Sequence, residues 1–241
     1  MKVTIVLIAP ETSGNIGAIA RSMANFGSTK LVLVNPQCNH LNKTAIDRAS
    51  HAKSILKKAI VIKEKDVKKI EKKIRKYGNH IIATTSKLGN DYNILRSVEH
   101  IDTIAPRIAV KDSNIVLLFG KESHGLSNEE IEIADFAITI PVSEKYGVIN
   151  LSHAVTVCLY ELYKTANSEK IKSKMPKQAQ KTEIKQLNKL VNQTIDNMSF
   201  LRASQDKTQR LVWKKLLSKL MLSRREAYAL MGYFKKILRK R

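Results

Sequence analysis

The first segment whose residues could do chemistry is 11–27 (ETSGNIGAIARSMANFG), which follows an apolar run and opens a helical pattern. Gly14 and Gly17 stand where a dinucleotide-binding loop has glycines, but the third glycine of that fingerprint is absent. The next strand ends at Asn35 and Pro36, where an acid should hold a ribose hydroxyl. A nicotinamide enzyme is therefore not expected. Gly17 is also explained if the helix packs closely on a sheet.

Arg21 is the charged residue of this otherwise small and apolar helix, one and a half turns from its start. A guanidinium needs a carboxylate, a phosphate or open water as its partner. We therefore expect Arg21 to face a ligand.

A second candidate segment is 117–126 (LLFGKESHGL), a buried-strand pattern that runs into Gly120 and Gly125. These glycines allow the backbone to turn tightly and to approach a ligand, while the following helix offers amide donors. A plain strand-to-helix loop is the alternative. His124 suggests a general base, although an exposed loop histidine is the commoner explanation.

The residue patterns of several other kinds of site are absent from the sequence. The six histidines never fall into metal-ligand spacing and no carboxylate cluster accompanies them, so no metal is expected. Neither a G-x-S-x-G elbow nor a G-x-x-x-x-G-K-[ST] loop occurs, which excludes the usual serine hydrolases and P-loop enzymes. Cys38 and Cys158 are far apart and predict no disulfide framework, which fits a reducing compartment.

The elements that must position these segments alternate between strand and helix. Short β-branched runs predict strands, and spacing near 3.6 predicts helices. The predicted strands are 3–9, 31–34, 59–62, 80–84, 114–119 and 136–140, and the predicted helices among them are 15–26, 43–57, 66–77 and 127–134. This alternation indicates a parallel α/β sheet, and such sheets bind ligands beyond the carboxyl ends of their strands.

Three domain-level segments follow from the pattern: a domain over 1–166, a polar linker over 167–180 and a helical extension over 181–241. The first domain ends in a helix with a broad apolar face, 150–165. The extension predicts three helices, which are 181–197, 207–220 and 223–240. The last two could form a DNA-reading helix-turn-helix, but a small bundle produces the same pattern more often.

Positive charge is concentrated in the last third of the chain. The whole chain carries a formal charge of +22, and residues 166–241 hold 20 Lys and Arg against 5 Asp and Glu. Phosphate neutralisation releases counterions, so nucleic acid is the expected partner and an anionic membrane surface a weaker rival. In the segment 63–76, positive and negative side chains alternate, which indicates a solvated helix face. No stretch approaches the roughly 18 apolar residues that span a bilayer, and no leader is expected, so we predict a soluble cytoplasmic protein.

A third segment, 138–154 (ITIPVSEKYGVINLSHA), completes a pattern with the first two. In order along the chain, the segments resemble the three motifs of SPOUT-class RNA 2′-O-methyltransferases, and within that class the TrmJ family. The matching residues are Gly14-Asn15-Ile16-Gly17 with Arg21, Phe119-Gly120-Lys121-Glu122 with Gly125-Leu126, and Ile140-Pro141 with Ile149-Asn150-Leu151. The resemblance covers about residues 1–165, and the basic tail also resembles the C-terminal extension of TrmJ proteins.

The resemblance implies a homodimer and a parallel sheet whose C-terminal part forms a trefoil knot, which physical principles alone would not predict. It also implies S-adenosylmethionine held in the knot, mostly by main-chain groups of three loops. Matched onto this chain, the cofactor-binding residues are Thr85, Ser86, Lys87, Gly120, Ile140, Gly147, Val148 and Ile149. The apolar face of 150–165 is the candidate for part of the dimer interface.

By the same resemblance Arg21 is the catalytic residue. Because an arginine is essentially always protonated, a phosphate clamp or a polarising role is at least as good an interpretation as a base. Asn15, Glu122 and Asn150 match polar motif positions and would orient substrate or loops. Val148 stands where the family often carries a serine, so a mechanism that needs that hydroxyl does not transfer.

The implied substrate is tRNA, methylated at position 32 of the anticodon loop. An unpaired loop base can be splayed into a pocket while a basic tail holds the stem phosphates. The short, lysine-rich chain is most similar to archaeal, cytidine-specific members, which favours cytidine. Two alternatives stay open. One is a ribosomal-RNA methyltransferase of the same class, since phosphate contacts do not distinguish one RNA from another. The other is a non-catalytic RNA-binding protein on a methyltransferase scaffold.

Overall fold

A parallel sheet organises the N-terminal part of the chain. A computed structural model describes residues 1–86, 98–198, 200 and 203–239, and within those ranges seven parallel strands lie in the order β3-β2-β1-β6-β4-β7-β5. The strands are β1 (Lys2–Ile8), β2 (Lys30–Val34), β3 (Ile60–Ile62), β4 (His80–Thr84), β5 (Val98–His100), β6 (Asn114–Phe119) and β7 (Phe136–Thr139). The predicted parallel α/β class is confirmed.

Helices connect and cover the strands. Those of the N-terminal part are α1 (Ser13–Asn25), α2 (Lys43–Ala49), α3 (Lys53–Lys57), α4 (Val67–Arg75), α5 (Ile101–Ile108), α6 (Asn128–Glu132) and α7 (Leu151–Ala166). Alternate residues of β1 show how the two faces are divided. Ile5 and Leu7 are buried in a core with α1, α2, α3, α5 and α7, whereas Val6 and Ile8 are buried in a second core with α4 and α6. Both faces of the sheet are therefore apolar, as parallel strands require.

Gly17 allows α1 to pack closely against α2, whereas the sequence suggested close packing of the helix on the sheet. A Cβ on Gly17 would lie closer than 3.0 Å to the main chain of Ala45 in α2, and Gly14 is covered by the guanidinium of Arg48. The absent side chains thus let α1 and α2 approach each other. The single helix predicted over 43–57 is wrong, because Ser50 adopts a φ of 52° and breaks it into α2, a 3-10 turn and α3.

A strand and a helix of the structure were not predicted from the sequence. Strand β5 has only three residues, none of them buried, so it lacks the apolar run that signals a strand. Helix α5 contains Pro106 in its second half, although its apolar residues Ile101, Ile104 and Ile108 are spaced for one buried face. Proline is read as a helix breaker from sequence, but the buried face holds this short helix in place.

The chain divides into two compact units, Met1–Ser168 and Glu169–Arg241. The second unit contains α8 (Ser168–Lys174) at its start, α9 (Lys181–Asp196), α10 (Ala203–Lys219) and α11 (Arg224–Arg239). The stretch 167–180, expected to be a linker, therefore includes a helix. Helix α9 packs against α10 and α11, and the three share a small core of Leu187, Val191, Ile195, Leu217, Met231 and Phe234.

Capping boxes of the pattern Ser-x-x-Glu open two of the helices. Ser127 opens α6, where its hydroxyl accepts from the Glu130 N–H and the Glu130 carboxylate accepts from the Ser127 N–H. Ser223 and Glu226 make the same pair of bonds at the start of α11. These pairs satisfy amide groups that the first helical turn leaves unbonded. Among the described residues, no helix has the length and apolar content needed to cross a membrane.

Candidate functional site

A cavity of about 450 Å³ opens at the carboxyl ends of three neighbouring strands, β6, β4 and β7. Its walls come from the loops that follow these strands and from the start of α7. This is the edge at which parallel sheets bind ligands, and the volume lies in the range of small-molecule sites. The sheet order, rather than the chain order, brings the three loops together.

Most residues predicted to hold a cofactor line this cavity. They are Thr85, Ser86, Gly120, Ile140, Gly147, Val148 and Ile149, together with Glu122 and Asn150 from the predicted polar positions. Lys87, also predicted to bind the cofactor, lies outside the described residues. The walls also include residues that the sequence did not point to, such as Ala154 and the buried thiol of Cys158. Burial raises the pKa of Cys158 to about 12, so this thiol contributes an apolar wall and no nucleophile.

The loop after β6 turns back on itself at the cavity wall. Gly125 has a φ of 72°, and its N–H donates to the carbonyl of Lys121 at 2.9 Å. A Cβ on Gly120 would lie closer than 3.0 Å to main-chain atoms of Gly125 and Leu126. Both glycines are therefore required by geometry, one for the backbone angle and one for the close approach. The loop presents main-chain groups to the cavity.

A carboxylate ties the loop after β6 to the loop after β1. Glu122 accepts hydrogen bonds from the main-chain N–H of Glu11 at 2.8 Å and of Thr12 at 3.1 Å, and from the side-chain amide of Asn15 at 2.9 Å. In return, Glu11 accepts from the N–H of Ser123 at 3.0 Å and from its hydroxyl at 2.8 Å. The two acids thus cross-link the loops in both directions. Glu11 was not singled out from the sequence, since an acid after a strand carries no specific signal.

The same network continues to α7. The side-chain amide of Asn150 donates to the Asn15 carbonyl oxygen at 3.3 Å, and Asn150 caps α7 by accepting from the N–H of Ser152 at 2.9 Å. Asn15 is only 7% exposed, so its amide is held by these contacts. The three polar motif residues Asn15, Glu122 and Asn150 are therefore brought together by the fold. Their bonds are to one another and to loop amides, which suits positioning of the cavity walls.

Arg21 is placed differently from the other predicted residues. Its side chain is exposed on α1, it does not line the cavity, and it makes no hydrogen bond or ion pair within the described part of the chain. Its neighbour Ser22 hydrogen-bonds Thr156 of α7 at 2.6 Å, so Arg21 stands beside the surface where α1 meets α7. The guanidinium is available to an anion from outside the chain. No group of histidine, cysteine or acid side chains in the described residues could hold a metal ion.

These features define a class: a parallel α/β protein whose cavity is lined by three loops at adjacent strand ends. That class is the SPOUT type of methyltransferase expected from the three motifs. The sequence profile of the SpoU rRNA Methylase family matches residues 2–160. The chain therefore belongs to the SpoU methylase family, and the resemblance drawn from its motifs is confirmed.

Individual relatives agree with this placement. The tRNA (cytidine-2′-O-)-methyltransferase TrmJ of Methanocaldococcus jannaschii is 34% identical over 97% of this chain and 98% of its own. The crystal structure of TrmJ from Z. mobilis ZM4 superposes with a TM-score of 0.66 at 27% identity, covering 97% of this chain and 98% of that one. AviRb from Streptomyces viridochromogenes, solved in complex with the cofactor AdoMet, shares the fold with a TM-score of 0.54 at 20% identity over 70% of this chain and 61% of its own.

Proposed function

We propose that this protein transfers the methyl group of S-adenosylmethionine to the 2′-hydroxyl of a ribose in tRNA, at cytidine 32 of the anticodon loop. The observation that carries the proposal is the near full-length match to the TrmJ of Methanocaldococcus jannaschii, which spans both the α/β unit and the basic helical unit. A match confined to the α/β unit would leave the substrate open, because that unit is shared by the whole SpoU family.

The cavity suits S-adenosylmethionine. The cofactor carries no phosphate, so it needs neither a cluster of cations nor a metal, and its adenine and ribose can be held by main-chain groups. The close return of the chain at Gly120 and Gly125 supplies such groups, and Thr85, Ser86 and Val148 lie on the facing walls. When bound, the cofactor supplies a methyl group on a positively charged sulfur. Because the contacts are to the backbone, Val148 in place of the frequent motif serine leaves them intact.

The trefoil knot belongs to this proposal. It is supported by the strand order, in which β6 lies between β1 and β4 although β4 precedes it in the chain. It is also supported by the loop after β6, which passes so close to itself that a side chain at Gly120 is excluded. A tightly crossed chain would fix the cavity walls before any ligand binds, and such preorganisation lowers the cost of binding.

Alignment of the two reacting centres is the main task of the protein in this reaction. The network of Glu122, Asn15 and Asn150 holds the loop after β1, the loop after β6 and the start of α7 in one arrangement. Arg21 then acts on the incoming RNA, and its permanent charge suits a clamp on the phosphate next to the target ribose. The basic unit Glu169–Arg241 supplies the wider contact with the tRNA phosphates.

A homodimer would bring Arg21 to a cavity. Tyr160 and Tyr163 of α7 are exposed, and their rings contact Phe26, next to the end of α1, edge-on and tilted. Ser22, the neighbour of Arg21, also contacts α7 through its hydrogen bond to Thr156. An apolar aromatic surface of this kind suits an interface with a second copy. If two copies pair through it, the Arg21 of one chain can serve the cavity of the other, which explains why Arg21 does not line its own. The working location proposed for the enzyme is the cytoplasm, where tRNA is modified.

The decisive experiment is methyl transfer from S-adenosylmethionine to unmodified tRNA transcripts, with mass spectrometry of nuclease fragments to locate the 2′-O-methyl group. The expected result is one product at cytidine 32 for the wild type and none for Arg21→Ala, which keeps its fold and its cofactor affinity. Cofactor binding without transfer to any tRNA would instead favour ribosomal RNA. A chain that binds no cofactor in calorimetry would favour the non-catalytic alternative.

A mixing experiment tests whether the sites are shared. Gly147→Trp is designed to block the cavity, because Gly147 lines it and an added Cβ there meets nothing within 4 Å. If Arg21 acts across a two-fold interface, equal amounts of Arg21→Ala and Gly147→Trp chains recover about a quarter of the wild-type rate after subunit exchange, since half of the dimers carry one complete site. If Arg21 acts within its own chain, the mixture stays inactive.

A further inference from the structure

Three side chains that neither the motifs nor the proposed function uses form a hydrogen-bonded chain: Glu11 from the loop after β1, and Ser123 and His124 from the loop after β6. The carboxylate of Glu11 accepts a hydrogen bond from the Ser123 hydroxyl at 2.8 Å, and the same hydroxyl oxygen lies 2.8 Å from Nδ1 of His124. Glu11 is further held by the N–H of Ser123 at 3.0 Å. The imidazole is thus oriented by a hydroxyl, and the hydroxyl by a carboxylate.

This arrangement fixes which ring nitrogen of His124 carries the proton. An ionised carboxylate can only accept a hydrogen bond, so the single hydroxyl proton of Ser123 is donated to Glu11. The hydroxyl oxygen can then only accept from the imidazole, which places a proton on Nδ1 of His124. In the neutral ring Nε2 is consequently unprotonated, and its lone pair is available to a proton donor.

His124 also stands at the right place for a reaction. It lines the cavity of about 450 Å³ proposed for the cofactor and, with Lys121, Gly125 and Leu126, also lines a neighbouring open cavity of about 570 Å³. An acceptor ribose must lie beside the methyl donor, so a residue on the wall between two cavities can reach the hydroxyl that reacts. Its exposed side chain can release a proton to water.

The other titratable groups on the described walls of the cofactor cavity are poor proton acceptors. The carboxylate of Glu122 already accepts three hydrogen bonds from the loop after β1. Lys121 has an ammonium group, which only donates, and the Cys158 thiol is fully buried. Tyr146 carries a phenol hydroxyl, whose oxygen is a poor proton acceptor. Arg21 is permanently protonated and lies outside the cavity.

We propose that His124 is the general base of the methyl transfer, with Ser123 and Glu11 as its positioning residues. This inference rests on the proposed function. The ribose 2′-oxygen forms a bond to the methyl carbon, and the carbon–sulfur bond breaks with its electron pair left on sulfur, which becomes a neutral thioether. The 2′-hydroxyl proton moves to Nε2 of His124, so the positive charge passes from sulfur to the imidazolium and then leaves with the proton to water.

Single-turnover kinetics test the base directly. His124→Gln should slow methyl transfer by at least about 100-fold at neutral pH, the usual contribution of a general base, with unchanged affinities for S-adenosylmethionine and tRNA. The matched control is His51→Gln, an exposed histidine of the same unit away from the cavity, which should keep the wild-type rate. A wild-type rate in His124→Gln overturns the proposal. An inactive wild type would instead count against the proposed function itself.

The pH profile separates a base from a structural role. The charged groups around His124 are Glu11, Lys121, Glu122 and Glu130. The wild-type single-turnover rate should fall on the acid side, and this fall should be absent from the residual rate of His124→Gln. An identical acid limb in the variant overturns the assignment, because another group would then titrate.

A spectroscopic measurement tests the hydrogen-bond chain without any turnover. Nitrogen-15 chemical shifts of the ring, assigned with His124→Gln, should show the proton on Nδ1 in neutral wild-type protein, the less common form of a free imidazole. Ser123→Ala removes the acceptor and should return the ring to the common Nε2–H form, with a partial loss of rate at unchanged cofactor affinity. A proton on Nε2 in the wild type would overturn the relay.

Discussion

Replacing Gly120 with alanine tests whether the close return of the loop after β6 forms the cofactor cavity. The added Cβ would sit closer than 3.0 Å to main-chain atoms of both Gly125 and Leu126, where real Cβ atoms are essentially never found. None of these atoms belongs to a flexible side chain that could turn away. To restore ordinary contact, one stretch of backbone must move by more than about 1 Å.

The cost follows from what that movement breaks. Overpacking in a well-packed region typically costs 1–3 kcal/mol, and main chain against main chain belongs at the upper end, so we expect a loss of about 3 kcal/mol in the free energy of unfolding. Phe119, the residue before Gly120, is 1% exposed, so the shift cannot be absorbed on the strand side. The loop side can yield only by giving up the bond from Gly125 N–H to the Lys121 carbonyl.

The assay is urea denaturation of Gly120→Ala together with calorimetry of S-adenosylmethionine. Either the whole unit is destabilised, or the loop opens locally and cofactor affinity falls while stability is retained. Gly232→Ala is the control, because a Cβ at this exposed position of α11 meets nothing within 4 Å, and it should stabilise the helix by about 0.5–1 kcal/mol. Wild-type stability combined with wild-type cofactor affinity in Gly120→Ala would refute the reasoning.

Three further predictions concern the C-terminal unit. Leu187→Ala, in the shared core of α9, should lower the free energy of unfolding by about 2–5 kcal/mol in urea denaturation, and an unchanged midpoint would mean that this core is not formed. The pKa of Glu183 is held below its usual value, first by the hydrogen bond from the N–H of Gln180 and also by Arg224, so the stability that this carboxylate contributes is present at neutral pH and is lost as pH falls through the lowered pKa. Glu183→Gln should therefore be less stable than the wild type at neutral pH and equally stable in acid. A difference in stability that stays constant with pH would contradict this. The double variant of Lys235 and Lys236 to alanine, both exposed on α11, should reduce the slope of log affinity for tRNA against log salt by about 2, and a wild-type slope would show that this helix does not hold phosphates.

Much of the architecture was readable from the chain because it is local. Apolar β-branched runs located the strands β1, β2, β3, β4, β6 and β7 to within about two residues, the usual uncertainty of element ends. The boxes at Ser127 and Ser223 marked helix starts, since each is a four-residue interaction. Strand β5 and the break at Ser50 were missed, because a short exposed strand and a single backbone angle leave no periodic signal.

The motifs that identify the family were also fixed by sequence, since they are residue types at set spacings. The sequence could place Gly14, Gly120 and Asn150 at loops after strands. It could not say that Gly14 meets Arg48 of α2, or that Gly120 meets its own loop, because those contacts join segments through tertiary packing. The sequence predicted that Gly17 allows close packing on the sheet and that Gly120 allows a close approach to a ligand. In the structure, Gly17 meets α2 and Gly120 meets the main chain of Gly125 and Leu126.

Only the tertiary structure decided which side chains act together. Glu122 and Asn15 are 107 residues apart, and Glu11 and Ser123 are 112 apart, yet each pair is within hydrogen-bond distance because β1 and β6 are neighbours in the sheet. The sequence left His124 as either a general base or, more commonly, an exposed loop histidine. The fold places His124 on the walls of two cavities and brings the Ser123 hydroxyl and the Glu11 carboxylate into a hydrogen-bonded chain with its ring. Strand order determines which loops meet, and strand order is not a local property of the chain.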